Sequence, residues 1–161
     1  MEARIGIGID VHAFAEGRPL VLGGVPIEYE LGLAGHSDAD VLTHAVMDAV
    51  LGAMRAGDIG EHFPDTDAEW TDVSSMELLE IVLRFMDDAG FRVVDLDTVV
   101  VAEAPRIAPH RDAIRHSLAH GLRVDVTRVG LKATTTEGLG FTGRAEGIMA
   151  QAVALLERVG A

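Results

Sequence analysis

Apolar residues alternate with other residues at the start of the chain and predict its first strand. Residues 4–14 read RIGIGIDVHAF. The period of two predicts that one face of this strand lies in the core and holds Ile5, Ile7, Ile9 and Val11. The opposite face carries Gly6 and Gly8, followed by Asp10 and His12. Because glycine has no side chain, we expect a ligand or another subunit to approach this face closely.

Apolar residues at helical spacing predict four helices further along the chain. These are predicted from a cap at Ser37 to about Gly57, from a capping box at Ser74 and Glu77 to Gly90, from Pro109 to Gly121, and over residues 144–159. The remaining elements are a hairpin turned by Gly23-Gly24, a long loop over 57–72, and strands over 91–102 and 124–133. This order predicts an α/β fold of the α+β type, with a mixed β-sheet layered with α-helices in a single domain spanning 1–161.

Composition restricts the chemistry and the class of partner. The chain has 161 residues and no cysteine, so a metal must be bound through His, Asp or Glu. Its 13 basic and 26 acidic residues give a formal net charge of −13, which argues against nucleic acid as the main partner. The sequence has neither a recognisable leader nor an apolar run of membrane-spanning length. We therefore expect a cytoplasmic protein, with no membrane association.

Asp10 and His12 are candidate metal ligands, because residues two apart on a strand point to the same side. The candidate third ligands are His36, His44, His62, His110, His116 and His120. His44, in the first predicted helix, is favoured because Asp48 lies one turn further on, where it could accept the second ring N–H of His44. Two histidines and one carboxylate suit Zn²⁺ with an open fourth position, although other divalent metals also fit. The alternative is a chance D-x-H triplet and a histidine on a helix surface.

Two further segments are candidates for binding a nucleotide. KATTTE, residues 132–137, offers hydroxyls, backbone N–H groups and a lysine to phosphate oxygens, and Glu137 could hold Mg²⁺ against them. The loop over 102–110 could contact a base edge, and the acidic loop over 58–67 could bind the hydroxyls of a sugar or polyol. The alternative for each is an ordinary turn or connection exposed to solvent.

Five segments taken together resemble one known family. They are GIDVHAF, AGHSDADVLTHA, GDIGEHFPDTD, AEAPRIAPH and KATTTEGLGFTGRAEGI. In this order, over nearly the whole chain, they are similar to the 2-C-methyl-D-erythritol 2,4-cyclodiphosphate synthases of non-mevalonate isoprenoid biosynthesis. The resemblance implies that the substrate is 4-diphosphocytidyl-2-C-methyl-D-erythritol 2-phosphate. Its 2-phosphate would attack the β-phosphorus of the diphosphate, so that CMP leaves and a cyclic diphosphate forms.

The resemblance also implies roles for individual residues. Zinc, bound where the family's ligands match Asp10, His12 and His44, would orient the β-phosphate. A Mg²⁺ or Mn²⁺ held partly by Glu137 would bridge the α- and β-phosphates. The positions that match the family's stabilisers of the transition state are His36 and Thr135.

The remaining implied positions bind the substrate. The ribose and methylerythritol parts would contact Asp58, Ile59, Gly60, Phe63, Pro64, Asp65, Thr66 and Asp67, and the reacting phosphates would lie beside Ser37. The cytidine pocket would be formed by Ala102, Glu103, Ala104, Pro105, Arg106, Ile107 and Ala108, with Thr134 and Thr135. Further binding positions are Thr136, Glu137, Phe141 and Arg144.

The resemblance implies a homotrimer with active sites between neighbouring subunits. Phe141 and Arg144 match positions near the three-fold axis, where some members hold an isoprenoid diphosphate. Two positions depart from the family pattern. Ile9 stands where an aromatic residue is common, which puts the axial ligand in doubt, and Ala108 stands where a larger apolar residue is common, which predicts a looser base pocket.

Two other functions are compatible with the same residues. A metal-dependent phosphohydrolase would use water in place of the internal phosphate and would release inorganic phosphate. A non-catalytic trimeric binder of isoprenoid phosphates would keep its ligand after His44→Ala and would have no turnover to lose.

Overall fold

Five strands form one mixed sheet within residues 2–160, which the computed structural model describes. The strands of the chain are β1 (Ala3–Ala15), β2 (Leu20–Leu22), β3 (Val25–Ile27), β4 (Gly32–Leu33), β5 (Phe91–Val101), β6 (Val129–Thr134) and β7 (Gly147–Arg158). The sheet has the order β4-β1-β7-β5-β6, and β2 and β3 form a separate hairpin. Strands β5 and β6 are parallel, whereas β7 is antiparallel to both of its neighbours. The predicted mixed sheet is therefore confirmed.

The helices pack in a layer against this sheet. They are α1 (Val41–Met54), α2 (Ile59–His62), α3 (Ser75–Asp88), α4 (Arg111–Leu122) and α5 (Gly140–Gly143), with 3₁₀ turns at Ala68–Trp70, Ala108–His110 and Val126–Arg128. Helix α1 lies against β1 and β7, and α3 packs on α1. The predicted second and third helices are confirmed as α3 and α4. The segment predicted as a loop over 57–72 contains α2 and one of the 3₁₀ turns, and the last of these turns delays the start of β6 to Val129.

The prediction of which face of β1 is buried was wrong. Gly6 and Gly8 face α1, and a Cβ built on Gly8 would lie 2.0 Å from the carbonyl oxygen of Ala45. The apolar side chains on the other face are exposed in the single chain, by 63% for Ile5, 57% for Ile7, 52% for Ile9 and 46% for Val11. The glycines therefore allow a helix of the same chain, rather than a ligand or subunit, to approach the strand.

The segment predicted as the last helix is the central strand β7, so that prediction was also wrong. The apolar residues at Ile148, Ala152 and Leu155 fit a helical period, but the strand pairs along its length with β1 and β5. Ala150, Ala152 and Ala154 are fully buried. Alanine favours helices in isolation, and here its small size suits a strand buried under α1.

Asp40, rather than Ser37, caps helix α1. Its side chain accepts a hydrogen bond from the backbone N–H of Thr43 at 3.0 Å and binds the backbone N–H groups of Gly23 and Gly24 at 2.9 and 2.7 Å. The predicted hairpin turn at Gly23-Gly24 is confirmed, and Asp40 joins it to the start of the helix. Helix α1 ends at Met54, before Gly57, with Arg55 in the left-handed conformation.

None of the helices in the described part of the chain is long and apolar enough to cross a membrane.

Candidate metal and substrate site

Asp10, His12 and His44 form a cluster that could hold a metal ion. Strand β1 supplies the first two residues, and helix α1 supplies the third. Asp10 Oδ2 lies 2.8 Å from His12 Nε2 and 3.0 Å from His44 Nδ1, and the two ring nitrogens are 3.2 Å apart. One donor atom from each residue lies within 4.8 Å of the others. The structure thus brings together the three residues that the sequence pattern singled out.

The orientation of His12 fits a cation in this cluster. Its Nδ1 lies 2.5 Å from the carbonyl oxygen of Ala34. A carbonyl only accepts, so Nδ1–H donates, and Nε2 of the neutral ring keeps a lone pair for a cation held together with Asp10 and His44. Two nitrogens and a carboxylate oxygen at this separation are a donor set that suits Zn²⁺ and other divalent metals.

The charges of the cluster perturb the pKa values of its members. Burial would raise the pKa of Asp10, but hydrogen bonds from His12 and His44 outweigh it and hold that pKa at about 2. Burial opposes the charged form of His12, whereas its bonds to Asp10 and to the Ala34 carbonyl raise its pKa above the ordinary value. The metal-free cluster therefore retains a proton to a higher pH than a free imidazole does.

Asp48 does not have the contact expected for it. The Oδ1 atom of Asp48 accepts from the backbone N–H of Ile59 at 2.8 Å and so ties α1 to the start of α2. The ring nitrogen of His44 that faces away from the cluster, Nε2, instead lies 2.9 Å from Ser75 Oγ and 3.1 Å from Ser37 Oγ. Helical spacing placed Asp48 near His44 but could not show that two hydroxyls from other elements lie closer.

A cavity of about 230 Å³ opens beside the cluster. Its lining includes nine residues that were predicted to bind metal or substrate, which are Asp10, His12, His36, Ser37, His44, Ile59, Gly60, Phe63 and Asp65. Four other predicted positions, Asp58, Pro64, Thr66 and Asp67, belong to the same loop but are not part of the lining. The His36 ring contacts Thr71 Oγ1 at 3.0 Å and the Asp67 carbonyl at 3.3 Å, so the loop fixes its position.

The lining also contains residues that the sequence analysis missed. Met47, Trp70 and Leu78 form apolar parts of the wall. Trp70 packs edge-on against Phe63, with 5.2 Å between ring centroids, and its buried Nε1 is the one buried side-chain nitrogen or oxygen in residues 2–160 without a hydrogen-bond partner. Trp70 is the single tryptophan of the chain and follows the acidic loop, which is the signal that could have drawn attention to it.

The two segments predicted for nucleotide binding meet at another place on the sheet. They follow the parallel strands β5 and β6, and the backbone N–H of Ala102 donates to the Thr134 carbonyl at 3.0 Å. The backbone N–H of Gly138 donates to Glu103 Oε1 at 3.2 Å. As described for residues 2–160, the cavity wall includes none of residues 102–108 or 134–137. In a single chain the two halves of the predicted active site are therefore separate.

Other predicted positions are exposed at the surface. Thr135 and Glu137 lie in the turn after β6, and the backbone N–H of Glu137 is 3.3 Å from Thr135 Oγ1. Arg144 pairs with Glu146 at 2.8 Å, and Phe141 is 37% exposed. Thr136 bonds to Thr142 Oγ1 at 2.8 Å. Lys132, the lysine of the KATTTE segment, is exposed and pairs with Asp97.

A sequence model of the YgbB family matches residues 3–157. The chain belongs to the YgbB family. A relative from Bacillus velezensis, named 2-C-methyl-D-erythritol 2,4-cyclodiphosphate synthase, is 56% identical over 155 residues, which cover 96% of this chain and 98% of the relative. The family resemblance drawn from the five segments is thereby confirmed.

Two solved structures are similar to this chain in fold as well as in sequence. The bifunctional IspDF of Campylobacter jejuni superposes with a TM-score of 0.94 at 44% identity, over 98% of this chain and 42% of that longer chain. A 2C-methyl-D-erythritol-2,4-cyclodiphosphate synthase described as its CDP-bound form superposes with a TM-score of 0.88 at 39% identity, over 96% of this chain and all of that one.

Proposed function

We propose that this YgbB chain converts 4-diphosphocytidyl-2-C-methyl-D-erythritol 2-phosphate to 2-C-methyl-D-erythritol 2,4-cyclodiphosphate and releases CMP. The observation that carries the proposal is the cluster of Asp10, His12 and His44 at the wall of a cavity, in a chain 56% identical to a synthase of that name over nearly its full length. The substrate supplies its own nucleophile, so the protein acts by positioning and by electrostatic stabilisation.

The cavity residues divide this task between binding and charge stabilisation. Asp10, His12 and His44 would hold a divalent cation, which we propose to be zinc and which would supply positive charge to the β-phosphate. His36 lines the same cavity and is proposed to lie beside the reacting phosphates, and Ser37 Oγ lies 3.1 Å from His44 Nε2. The apolar wall with Phe63 and Trp70 suits the methylerythritol carbon skeleton.

The cytidine part is proposed to bind where the segments after β5 and β6 meet. Support comes from the hydrogen bonds between these segments and from the related synthase described with bound CDP. The loop over 102–108 is proposed to contact the base, together with Thr134 and Thr135. Thr135, Thr136 and Glu137 are proposed to face the diphosphate, where Glu137 would hold Mg²⁺ or Mn²⁺.

A homotrimer with shared active sites is proposed for the same reasons. The cavity and the nucleotide segments are separate in one chain, and a neighbouring subunit would supply one half to the other. The exposed face of β1 and β7 forms an apolar stripe, defined here by Ile5, Ile7, Ile9, Val11 and Val153, which is suited to burial between subunits. An isoprenoid diphosphate at the trimer axis, near Phe141 and Arg144, is proposed as a secondary ligand.

Incubation with the cytidylylated substrate tests the proposed reaction. We expect phosphorus NMR to show CMP and the cyclic diphosphate, with both absent when a chelator removes the metal. Asp10→Asn and His44→Ala should each abolish turnover. Release of inorganic phosphate would identify a phosphohydrolase instead, and binding without any turnover would identify a non-catalytic protein.

A further inference from the structure

The side of His44 that faces away from the metal cluster contacts two buried hydroxyl groups. Nε2 lies 2.9 Å from Ser75 Oγ and 3.1 Å from Ser37 Oγ. Ser75 is the first residue of helix α3 and is fully buried, whereas Ser37 lines the cavity. Ser75 thus reaches the histidine from an element that contributes no metal ligand.

Asp38 determines the direction of the hydrogen bond made by Ser75. Its carboxylate binds the Ser75 hydroxyl through Oδ1, the Ser75 backbone N–H through Oδ2 at 3.1 Å, and the Asp40 backbone N–H at 3.1 Å. An ionised carboxylate only accepts hydrogen bonds, so the Ser75 hydroxyl must donate to Asp38. The Ser75 oxygen is then left to accept, and the donor to it is Nε2–H of His44.

A proton fixed on Nε2 leaves the other nitrogen of a neutral imidazole as a lone-pair donor. That nitrogen, Nδ1, is the one that lies 3.0 Å from Asp10 Oδ2 and 3.2 Å from His12 Nε2. We propose that Ser75 and Asp38 are positioning residues, which hold His44 in the Nε2–H tautomer and aim its Nδ1 at the metal. This inference rests on the proposed metal site.

Ser37 and Ser75 differ in what their hydroxyl protons are bound to. The Ser37 oxygen lies 3.3 Å from the Ala39 backbone N–H, but its own proton is not committed to a carboxylate. The hydroxyl proton of Ser37 therefore remains available to a ligand in the cavity, whereas that of Ser75 does not. Asp38 and Ser75 do not line that cavity, so they act on the metal only through the ring.

Zinc affinity of the full-length protein, measured by competition with a chelator, tests this role. We expect Ser75→Ala to weaken zinc binding by about 10- to 100-fold, as loss of the partner of a ligating histidine typically does. Ser75→Thr, which keeps the hydroxyl, should recover part of the affinity. Ser74→Ala is the matched control, because Ser74 caps the same helix through Met76 N–H at 3.3 Å without contacting His44. It should destabilise α3 but leave zinc affinity within about twofold.

Nitrogen NMR of His44 in metal-free Asp10→Ala, in which no carboxylate competes for a proton on Nδ1, provides a readout independent of metal binding. With Ser75 and Asp38 intact, this variant should show a single tautomer with the proton on Nε2. Adding Ser75→Ala or Asp38→Asn should give mixed tautomers, because the amide introduced by Asp38→Asn can donate to Ser75 and so reverse the direction of its bond.

Three results would overturn the inference: a proton on Nδ1 in Asp10→Ala, zinc affinity unchanged in Ser75→Ala, or equal losses of zinc affinity in Ser74→Ala and Ser75→Ala. A wild-type protein that binds no zinc would instead refute the proposed metal site, and the tautomer measurement would still decide the role of Ser75 and Asp38.

Discussion

Gly8 sets the distance between the strand that carries two metal ligands and the helix that carries the third. It lies two residues before Asp10 in β1, and it faces α1 beside Ala45, the neighbour of His44. In Gly8→Ala the new Cβ would lie 2.0 Å from the Ala45 carbonyl oxygen and 2.7 Å from the Ala49 backbone nitrogen. Both atoms belong to the backbone of a helix, so no side-chain rotation can relieve the overlap.

The size of the overlap determines how much stability and zinc affinity Gly8→Ala is expected to lose. Real Cβ contacts essentially never fall below 3.0 Å, so α1 must move by about 1 Å away from a strand that is hydrogen-bonded to β7 along its length. Overpacking of this kind costs about 3 kcal/mol in free energy of unfolding, at the upper end of the usual range. For a domain of this size the thermal midpoint should fall by roughly 6–12 °C. Metal–ligand distances tolerate only about 0.2 Å, so zinc affinity should fall at least about tenfold.

Gly52→Ala is the matched control, because it places the same methyl group on the same interface. Its Cβ would lie 3.7 Å from the Ile7 carbonyl oxygen, an ordinary contact, and alanine in a helix should stabilise the protein by about 0.5–1 kcal/mol. Thermal unfolding at one fixed protein concentration and zinc titration of both variants provide the measurements. Wild-type stability and zinc affinity in Gly8→Ala would refute the view that close backbone packing sets the metal geometry.

Three further predictions concern protons, hydrogen bonds and assembly. The pKa of His12 is raised above its ordinary value of 6.5, and protonation of the ring opposes metal binding. Zinc affinity should therefore be full at high pH and should begin to fall at a pH above 6.5, by up to about tenfold per pH unit. Chelator competition across pH checks this, and a loss of affinity that begins only below pH 6.5 would contradict it. Asp40→Ala removes the buried acceptor of the Gly23 and Gly24 N–H groups, so urea unfolding should show that the free energy of unfolding falls by about 3 kcal/mol or more. A fall of less than about 1 kcal/mol would argue against a structural role for Asp40. Ile7→Asp, on the apolar stripe, should leave the circular dichroism of the fold unchanged but convert the proposed trimer to monomers by light scattering; a persistent trimer would place the interface elsewhere.

The first strand shows what alternation can and cannot specify. The period of two correctly placed Asp10 and His12 on one side and the isoleucines on the other. It did not show which side packs inside the chain, since apolar residues also form surfaces between subunits. Gly6 and Gly8 decide the matter, because a surface without side chains is the one that a helix backbone can approach closely.

Strand β7 shows the limit of helical periodicity. An alanine-rich segment with apolar residues three and four apart fits a helix locally, and the same residues alternate well enough to form a strand. The choice depends on the hydrogen bonds that β1 and β5 offer on either side, and these come from distant parts of the chain. The hydrogen bonds of this strand pairing outweigh the local preference for a helix, so the sequence pattern predicted a helix where the structure has a strand.

The metal ligands and their supporting contacts differ in how far the sequence reveals them. Asp10 and His12 were found from strand geometry, and His44 was favoured among the histidines because Asp48 lies one helical turn further on. The partner of His44 was assigned to Asp48 by helical spacing, whereas the structure places Ser75 against the ring. Ser75 lies 31 residues beyond His44, and no local pattern relates the two.

The sequence by itself determined the family, the mixed sheet, the three metal-ligand candidates and the two segments that follow β5 and β6. These features depend on residue type and local spacing, which can be read along the chain. Only the tertiary structure decided which face of β1 is buried, that residues 147–158 form a strand, and that Ser75 and Asp38 stand behind His44. Each of these depends on contacts between residues far apart in sequence, where packing and hydrogen-bond direction override local preference.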